Sequence, residues 1–316
     1  MKRILVTGGR GFIGTQLCNR LSAQPDTEVI AVDNMRCPSF MPLNKNVQIF
    51  EADVSDPMVF ITLLQAFHEV HEVYHLASLA SPVWYKRFPL ETIRTNVMGT
   101  HNMCELALEW GAKLVLSSTS EVYGDPETTP QTEKYNGNVS TRTDRACYDE
   151  SKRCAETIVY EFAKRGLNST IVRIFNTYGP GMRHDDGRVV SEFIMRALQD
   201  ENLIVCNGGQ QTRSFCYIDD LLDYLVLAMK TAHPGPINIG NDKEISILDL
   251  AQLIGNILGE QLHIEYKIVD DGDPKRRCPD LTTARVVLGC MPETELTTGL
   301  IYTVDYFRKW LQYKDA

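Results

Sequence analysis

Tyr148 and Lys152 stand four residues apart in Tyr148-Asp149-Glu150-Ser151-Lys152. On a helix this spacing puts both side chains on one face, one turn apart. A free tyrosine has a pKa of about 10 and is a poor base at neutral pH. A fixed ammonium beside it favours the phenolate, and a shift of roughly three units corresponds to about 4 kcal/mol. Such a pair is a base able to take a proton from a hydroxyl while a hydride leaves the same carbon. The same spacing occurs in many helices that do no chemistry, so its meaning depends on the rest of the chain.

A departing hydride needs an acceptor, and the N-terminal residues carry the signature of one. Ile4-Leu5-Val6-Thr7 reads as a buried strand, Gly8-Gly9-Arg10-Gly11-Phe12-Ile13-Gly14 follows at once, and 15–21 reads as a helix. Strand, glycine turn and helix form the context of a dinucleotide-binding loop. The spacing is G-x-x-G-x-x-G, but the demands are the same: a tight turn, a backbone close to a pyrophosphate, and a helix N-terminus facing its charge. The strand at 28–32 ends in Asp33, 19 residues past Gly14. An acidic residue there takes the adenosine ribose hydroxyls and repels the extra phosphate of NADP, so NAD is the expected cofactor, although the nearby Arg36 weakens that discrimination. Asn34 continues this rim. Asp53 and Val54 end a third strand at 47–54. Asp53 has two readings, an acceptor for the adenine amino group or a helix cap ahead of Asp56-Pro57.

These residues need a frame. A fourth strand, 73–78, delivers Leu76, Ala77 and Ser78 to the carboxyl edge, and 78–85 is expected as a loop there, where ligands bind in such sheets. A long helix at 91–110 precedes a fifth strand, 113–118, and the polar loop 119–124. Helix 145–165 carries Tyr148 and Lys152, and 170–175 is a sixth strand. This β–α alternation indicates a doubly wound parallel sheet, an α/β fold of Rossmann type, with a smaller mixed α/β substrate domain. The expected division is an NAD-binding domain over 1–178, rejoined by 216–241, and a substrate domain over 179–215 and 242–316. The second part reads as helix 189–199, a strand at 203–205, a strand and turn at 236–240, and an amphipathic helix at 247–258. The charged loop 270–277 ends in Lys275-Arg276-Arg277. A basic run is usually solvated, but a lobe facing a nucleotide needs guanidinium groups for its diphosphate.

Composition sets outer bounds. A net charge of −9 argues against a nucleic-acid surface. No apolar run approaches the ~20 residues of a membrane span. Met1-Lys2-Arg3 leads into a strand and lacks the h-region and cleavage site of a signal peptide. Nine singly scattered cysteines, with no C-x-x-C, fit a reducing cytoplasm better than a disulfide framework or zinc site. Cys147 adjoins Tyr148, but a helical neighbour points about 100° away, so it reads as packing. His68, His71 and His75 have metal-like spacing, yet the strand at 73–78 breaks the helical register and no carboxylate or thiol completes a set, so no metal is expected.

With the glycine turn, Asp33, Thr119-Ser120-Glu121 and Tyr148/Lys152 in place, the chain resembles the extended short-chain dehydrogenase/reductase family, whose members of this type act on nucleotide sugars. It looks most similar to the UDP-glucuronate decarboxylases. The likeness runs along almost the whole chain and is most specific in Ser118-Thr119-Ser120-Glu121-Val122-Tyr123-Gly124-Asp125-Pro126, Arg145-Ala146-Cys147-Tyr148-Asp149-Glu150, Arg173-Ile174-Phe175-Asn176-Thr177, Asp186-Gly187-Arg188-Val189-Val190-Ser191 and Gln211-Thr212-Arg213. Sugar 4,6-dehydratases carry Asp-Glu after the Thr and epimerases typically lack the Glu, whereas Ser120-Glu121 has the decarboxylase form.

The resemblance implies catalytic roles for Thr119, Glu121, Tyr148, Lys152 and Arg277. It implies NAD contacts from Gly8, Gly11, Phe12, Ile13, Gly14, Asp33, Asn34, Asp53, Val54, Leu76, Ala77, Ser78, Tyr148 and Lys152. It implies UDP-sugar contacts from Tyr85, Ser120, Arg145, Asn176, Arg188, Arg213 and Arg277. Glu121 keeps two readings, orienting substrate and assisting proton transfer, or tying down its loop. Arg277 is implied near the sugar carboxylate. Ser151 in place of the usual Gly, Leu79 in place of Pro, and the loop after Asn34 depart from the family pattern. The implied activity is NAD-dependent conversion of UDP-glucuronate to UDP-xylose through a 4-keto sugar, in a homodimer paired through the helices at 91–110 and 145–165. Two alternatives stay open: another 4-keto nucleotide-sugar enzyme (dehydratase, epimerase or a decarboxylase releasing the keto-pentose), and a catalytically silent regulatory member.

Overall fold

In the computed structural model, which describes residues 1–260, 262–268 and 275–314, seven strands form one parallel sheet. They are β1 (Lys2–Thr7), β2 (Thr27–Asp33), β3 (Val47–Glu51), β4 (Glu72–His75), β5 (Lys113–Thr119), β6 (Ser169–Ile174) and Ile237–Ile239. Their spatial order is Ile237–Ile239, β6, β5, β4, β1, β2, β3. A parallel sheet is covered on both faces, which is why its strands read as unbroken apolar runs. The pleat then divides each run. Ile4, Val6, Val29, Ala31, Tyr74 and Val115 join one buried cluster, while Leu5, Ile30, Val32, Val73 and Leu114 join the other. Helices Phe12–Ser22 and Ile218–Lys230 close the first face. Helices Val59–Ala66, Thr100–Trp110 and Ala146–Lys164 close the second.

From β1 the chain moves outward to β2 and β3, then crosses back to β4 on the other side. The carboxyl ends of β1 and β4 therefore flank a topological switch point, where a crevice opens. Strand Thr212–Ser214 roofs this crevice, flanked by Glu244–Ser246 (antiparallel) and Arg276–Arg277 (parallel). The first buried cluster continues from the sheet into Phe193, Ile194, Leu250, Ile254 and Phe307, so the two lobes share one core.

Several local outcomes differ from the sequence reading. β3 ends at Glu51 and β4 at His75, so Asp53, Val54 and Leu76, Ala77 and Ser78 lie in the loops just past their strands. The expected loop at 78–85 is partly helical, because Pro82 opens helix Pro82–Arg87 and its fixed φ suits a first helical turn. The expected helix at 91–110 is divided: Pro89–Arg94 passes through a π-type turn, Thr95–Gly99, into Thr100–Trp110. Of the charged loop, residues 270–274 lie outside the described residues, and Arg276–Arg277 is a strand. The three histidines are dispersed. His75 is buried between the hydroxyls of Thr7 (2.7 Å) and Thr100 (3.1 Å), and His71 Nδ1 accepts from the Arg3 backbone N–H.

Candidate active site

The carboxyl end of β5 and the first turns of helix Ala146–Lys164 meet under the roof. Tyr148 and Lys152 are both buried there. The Tyr148 hydroxyl is hydrogen-bonded to Thr119, the last residue of β5, and its ring stacks on Tyr85 with centroids 5.4 Å apart and planes 10° from parallel. Lys152 Nζ donates to the Ser117 carbonyl at 2.8 Å. The expectation that the Lys152 ammonium brings Tyr148 below its ordinary pKa is corrected. Burial dominates and pushes the phenol up to about 12, with Thr119 and Arg188 pulling it back and Glu121 and Asp149 adding to the rise. Burial also draws the Lys152 ammonium down to about 8, against Glu156. Glu156 is itself held by Arg173 through Nε (2.9 Å) and Nη2 (2.7 Å).

Ser120 and Glu121 begin a short 3₁₀ turn after Thr119. The Glu121 carboxylate accepts from both terminal nitrogens of Arg277, each at 2.8 Å, in a bidentate pair. Arg145 Nη2 donates to the same carboxylate, and Arg145 Nε lies 3.6 Å from Asp149. Strand alternation decides which of the two adjacent arginines enters the cleft. Arg276 points outward to Glu244, while Arg277 points inward and is buried. Arg213, its register partner on Thr212–Ser214, is buried too.

The other end of the crevice suits a dinucleotide. Gly8 has φ +66°, a region open to glycine, and a Cβ on Gly14 would fall 2.0 Å from the Gly8 carbonyl oxygen. Only glycines let the turn close this tightly. Helix Phe12–Ser22 has no side-chain cap and no acidic residue in its first turn, so its N-terminal N–H groups are left for an anion. Asp33 ends β2 with its carboxylate accepting from the backbone N–H groups of Arg10 (2.9 Å) and Met35 (2.8 Å).

One cavity of about 1060 Å³ joins the two ends. It brings together Gly8, Gly11, Phe12, Ile13, Gly14, Asp33, Asn34, Val54, Leu76, Ala77, Ser78, Tyr85, Thr119, Ser120, Glu121, Arg145, Tyr148, Lys152, Asn176, Arg188, Arg213 and Arg277. Asp53 lies beside it, accepting from Asn34 (3.1 Å) and from the Ser55 hydroxyl (2.6 Å). Arg36 lines the cavity with its guanidinium 4.9 Å over the Phe88 ring, and Arg188 pairs with Asp186 at 3.0 Å. Sequence reasoning missed Asn96, in the π-type turn, whose Nδ2 donates to Ser151 Oγ at 2.9 Å on the catalytic helix. The one available signal was Ser151 itself, a hydroxyl at a position where glycine is usual.

A family model, the NAD dependent epimerase/dehydratase family, matches residues 4–240. The chain belongs to that family. It is 45% identical over 312 residues to UDP-glucuronic acid decarboxylase 6 of Arabidopsis thaliana, an alignment taking in 97% of this chain and 89% of the relative. Its fold is similar to that of UDP-glucose 4-epimerase of Thermotoga maritima with UDP-glucose, at a TM-score of 0.91 and 30% identity over 98% of this chain and 99% of that one. It is also similar to UDP-glucuronic acid 4-epimerase of Bacillus cereus in complex with UDP-glucuronic acid and NAD, at a TM-score of 0.85 and 28% identity over 98% and 99% of the two chains. Within the family, the identity to the Arabidopsis protein groups this chain with the UDP-glucuronic acid decarboxylases.

Proposed function

We propose that this chain decarboxylates UDP-glucuronate to UDP-xylose, using NAD that is regenerated within each cycle. The observation that carries the reading is the pairing of Glu121 with the buried Arg277 in the cavity that Tyr148 lines, which sets a cation able to select a carboxylate within a hydroxyl-oxidising site. Bound NAD supplies a hydride acceptor and donor, and its cationic ring adds to the Lys152 ammonium in favouring the Tyr148 phenolate.

Tyr148 takes the proton of the sugar's 4-hydroxyl, with Thr119 holding its oxygen in place. Oxidation at carbon 4 makes a β-keto acid, whose ketone receives the electron pair left when the carboxylate departs as carbon dioxide. Thr119, Tyr148 and the nearby guanidinium groups are the donors available to the resulting enolate. Protonation at carbon 5 and reduction of the ketone, with Tyr148 returning its proton, complete UDP-xylose. Incubation of the pure protein with UDP-glucuronate and NAD should yield carbon dioxide and UDP-xylose in equal amounts. Carbon dioxide with free keto-pentose, loss of water, or an epimerised uronate would each reassign the enzyme, and no turnover would mark a silent member.

The proposed working form is a homodimer. Leu90 (72% exposed), Ile93 and Met98 leave an apolar stripe uncovered on Pro89–Trp110, and Tyr160 (60% exposed) stands on the neighbouring helix Ala146–Lys164. Patches of this kind mark association surfaces. Light scattering at micromolar concentration should give twice the chain mass, and a monomer mass would end this reading. The nine cysteines, none of them in a disulfide, support a reducing, cytoplasmic setting.

A further inference from the structure

Among the described residues, Arg145, Asp149, Glu121 and Arg277 form one linked cluster beside Tyr148, each 7% to 13% exposed. Arg145 and Arg277 bring two positive charges, Glu121 and Asp149 two negative ones. The proposed function requires Arg277 to receive a sugar carboxylate, and the following inference rests on that reading. Substrate then brings a third negative charge to a patch with two positive ones. A buried patch resists such an excess, and a carboxyl group answers it by taking a proton.

The partners decide which carboxyl responds. Glu121 accepts from two guanidinium groups, one of them bidentate. Asp149 reaches Arg145 Nε only at 3.6 Å, beyond ordinary hydrogen-bond length, and its Oδ1 is buried with no hydrogen-bond partner. An unpartnered buried carboxylate oxygen is costly, and a proton on the group relieves that cost. Burial, then the charge of Glu121, already pushes the Asp149 carboxyl up to about 7 against the pull of Arg145 and Arg277. The other groups facing it are Tyr85 from helix Pro82–Arg87, and Cys147 and Tyr148 on its own helix. Burial pushes all three upward, so they stay neutral and bring no compensating charge.

We propose that Asp149 takes up one proton from solvent when the sugar carboxylate enters, and so keeps the Arg145–Glu121–Arg277 cluster in charge balance. Decarboxylation replaces a C–COO⁻ bond by a C–H bond and consumes one proton for each carbon dioxide released. When carbon dioxide leaves, protonated Asp149 leaves the patch with one net positive charge facing the enolate. Carbon 5 takes its own proton, and when UDP-xylose leaves, Asp149 releases its proton to solvent and the patch returns to neutral. Asp149 acts through Arg145 and is a positioning residue.

Binding calorimetry in buffers of different ionisation enthalpy tests this, with NAD-loaded Tyr148→Phe protein to block turnover. UDP-glucuronate should take up about one proton per site near pH 8 and about none near pH 6, where Asp149 is already protonated. UDP-xylose, lacking the carboxylate, should take up none at either pH. Between about pH 7 and 8 the affinity for UDP-glucuronate should fall roughly fivefold, and adding Asp149→Asn should remove both the uptake and the slope. No uptake near pH 8, or uptake unchanged by Asp149→Asn, overturns the assignment to Asp149. If UDP-glucuronate fails to bind where UDP-xylose binds, the functional reading itself falls and takes this inference with it.

Discussion

Tyr148→Phe lowers turnover by about 10²–10⁴-fold while NAD remains bound, the range expected for loss of a general base. The substitution removes one oxygen and leaves the ring. Its stacking on Tyr85 survives, and so does the buried face of the helix that carries it. Lost with the hydroxyl are the hydrogen bond to Thr119 and the proton acceptor at carbon 4. Burial raises the phenol to about 12 even with Thr119 and Arg188 pulling it down, so the base works only with further positive charge beside it. Single-turnover absorbance of NADH, beside a fluorescence titration of NAD, checks both halves of the expectation. A variant keeping more than about a tenth of the wild-type rate would remove Tyr148 from the role of base.

Arg277→Ala is the second large effect. The guanidinium is buried and bidentate on Glu121, so a sugar carboxylate can reach it only by sharing or displacing that partner. A planar fork suits either carboxylate. Holding the substrate's carboxylate too tightly opposes its loss, so a built-in competitor that returns as carbon dioxide leaves favours the forward reaction. Without Arg277, Glu121 keeps Arg145, and the dinucleotide end of the cavity is untouched. The variant should bind NAD normally, lose about 10²–10³-fold in pentose formation, and leave NADH and undecarboxylated 4-keto sugar in excess over pentose. Stopped-flow absorbance beside carbon dioxide release reads this partition. UDP-xylose formed at the wild-type rate would return Arg277 to a structural role and direct attention to Arg213.

Much of the frame and of the cofactor end is written in short-range pattern. Ile4–Thr7 followed by three spaced glycines states strand, tight turn and helix within fourteen residues, because turn geometry and periodicity are local properties. Tyr148 and Lys152 share a helix face for the same reason. The catalytic character of the cleft depends on longer reach. Glu121 and Arg277 are 156 positions apart, and the two-residue strand that turns Arg277 inward and Arg276 outward exists only because Thr212–Ser214 offers it an edge. A window over the charged loop contains no sign of that edge.

The electrostatics belong to the fold in a stronger sense. An ammonium one turn away lowers a tyrosine's pKa if both face water, but the packed interior penalises the charged form of each. The direction at Tyr148 is therefore decided by burial beneath the roof, which no spacing rule contains. Asp149 reads in sequence as one more helical acid beside the base. Its buried, unpartnered oxygen and its place against Arg145 and Glu121 arise only when β5, the catalytic helix and the roof strand close on one another, because desolvation and charge pairing depend on neighbours in space.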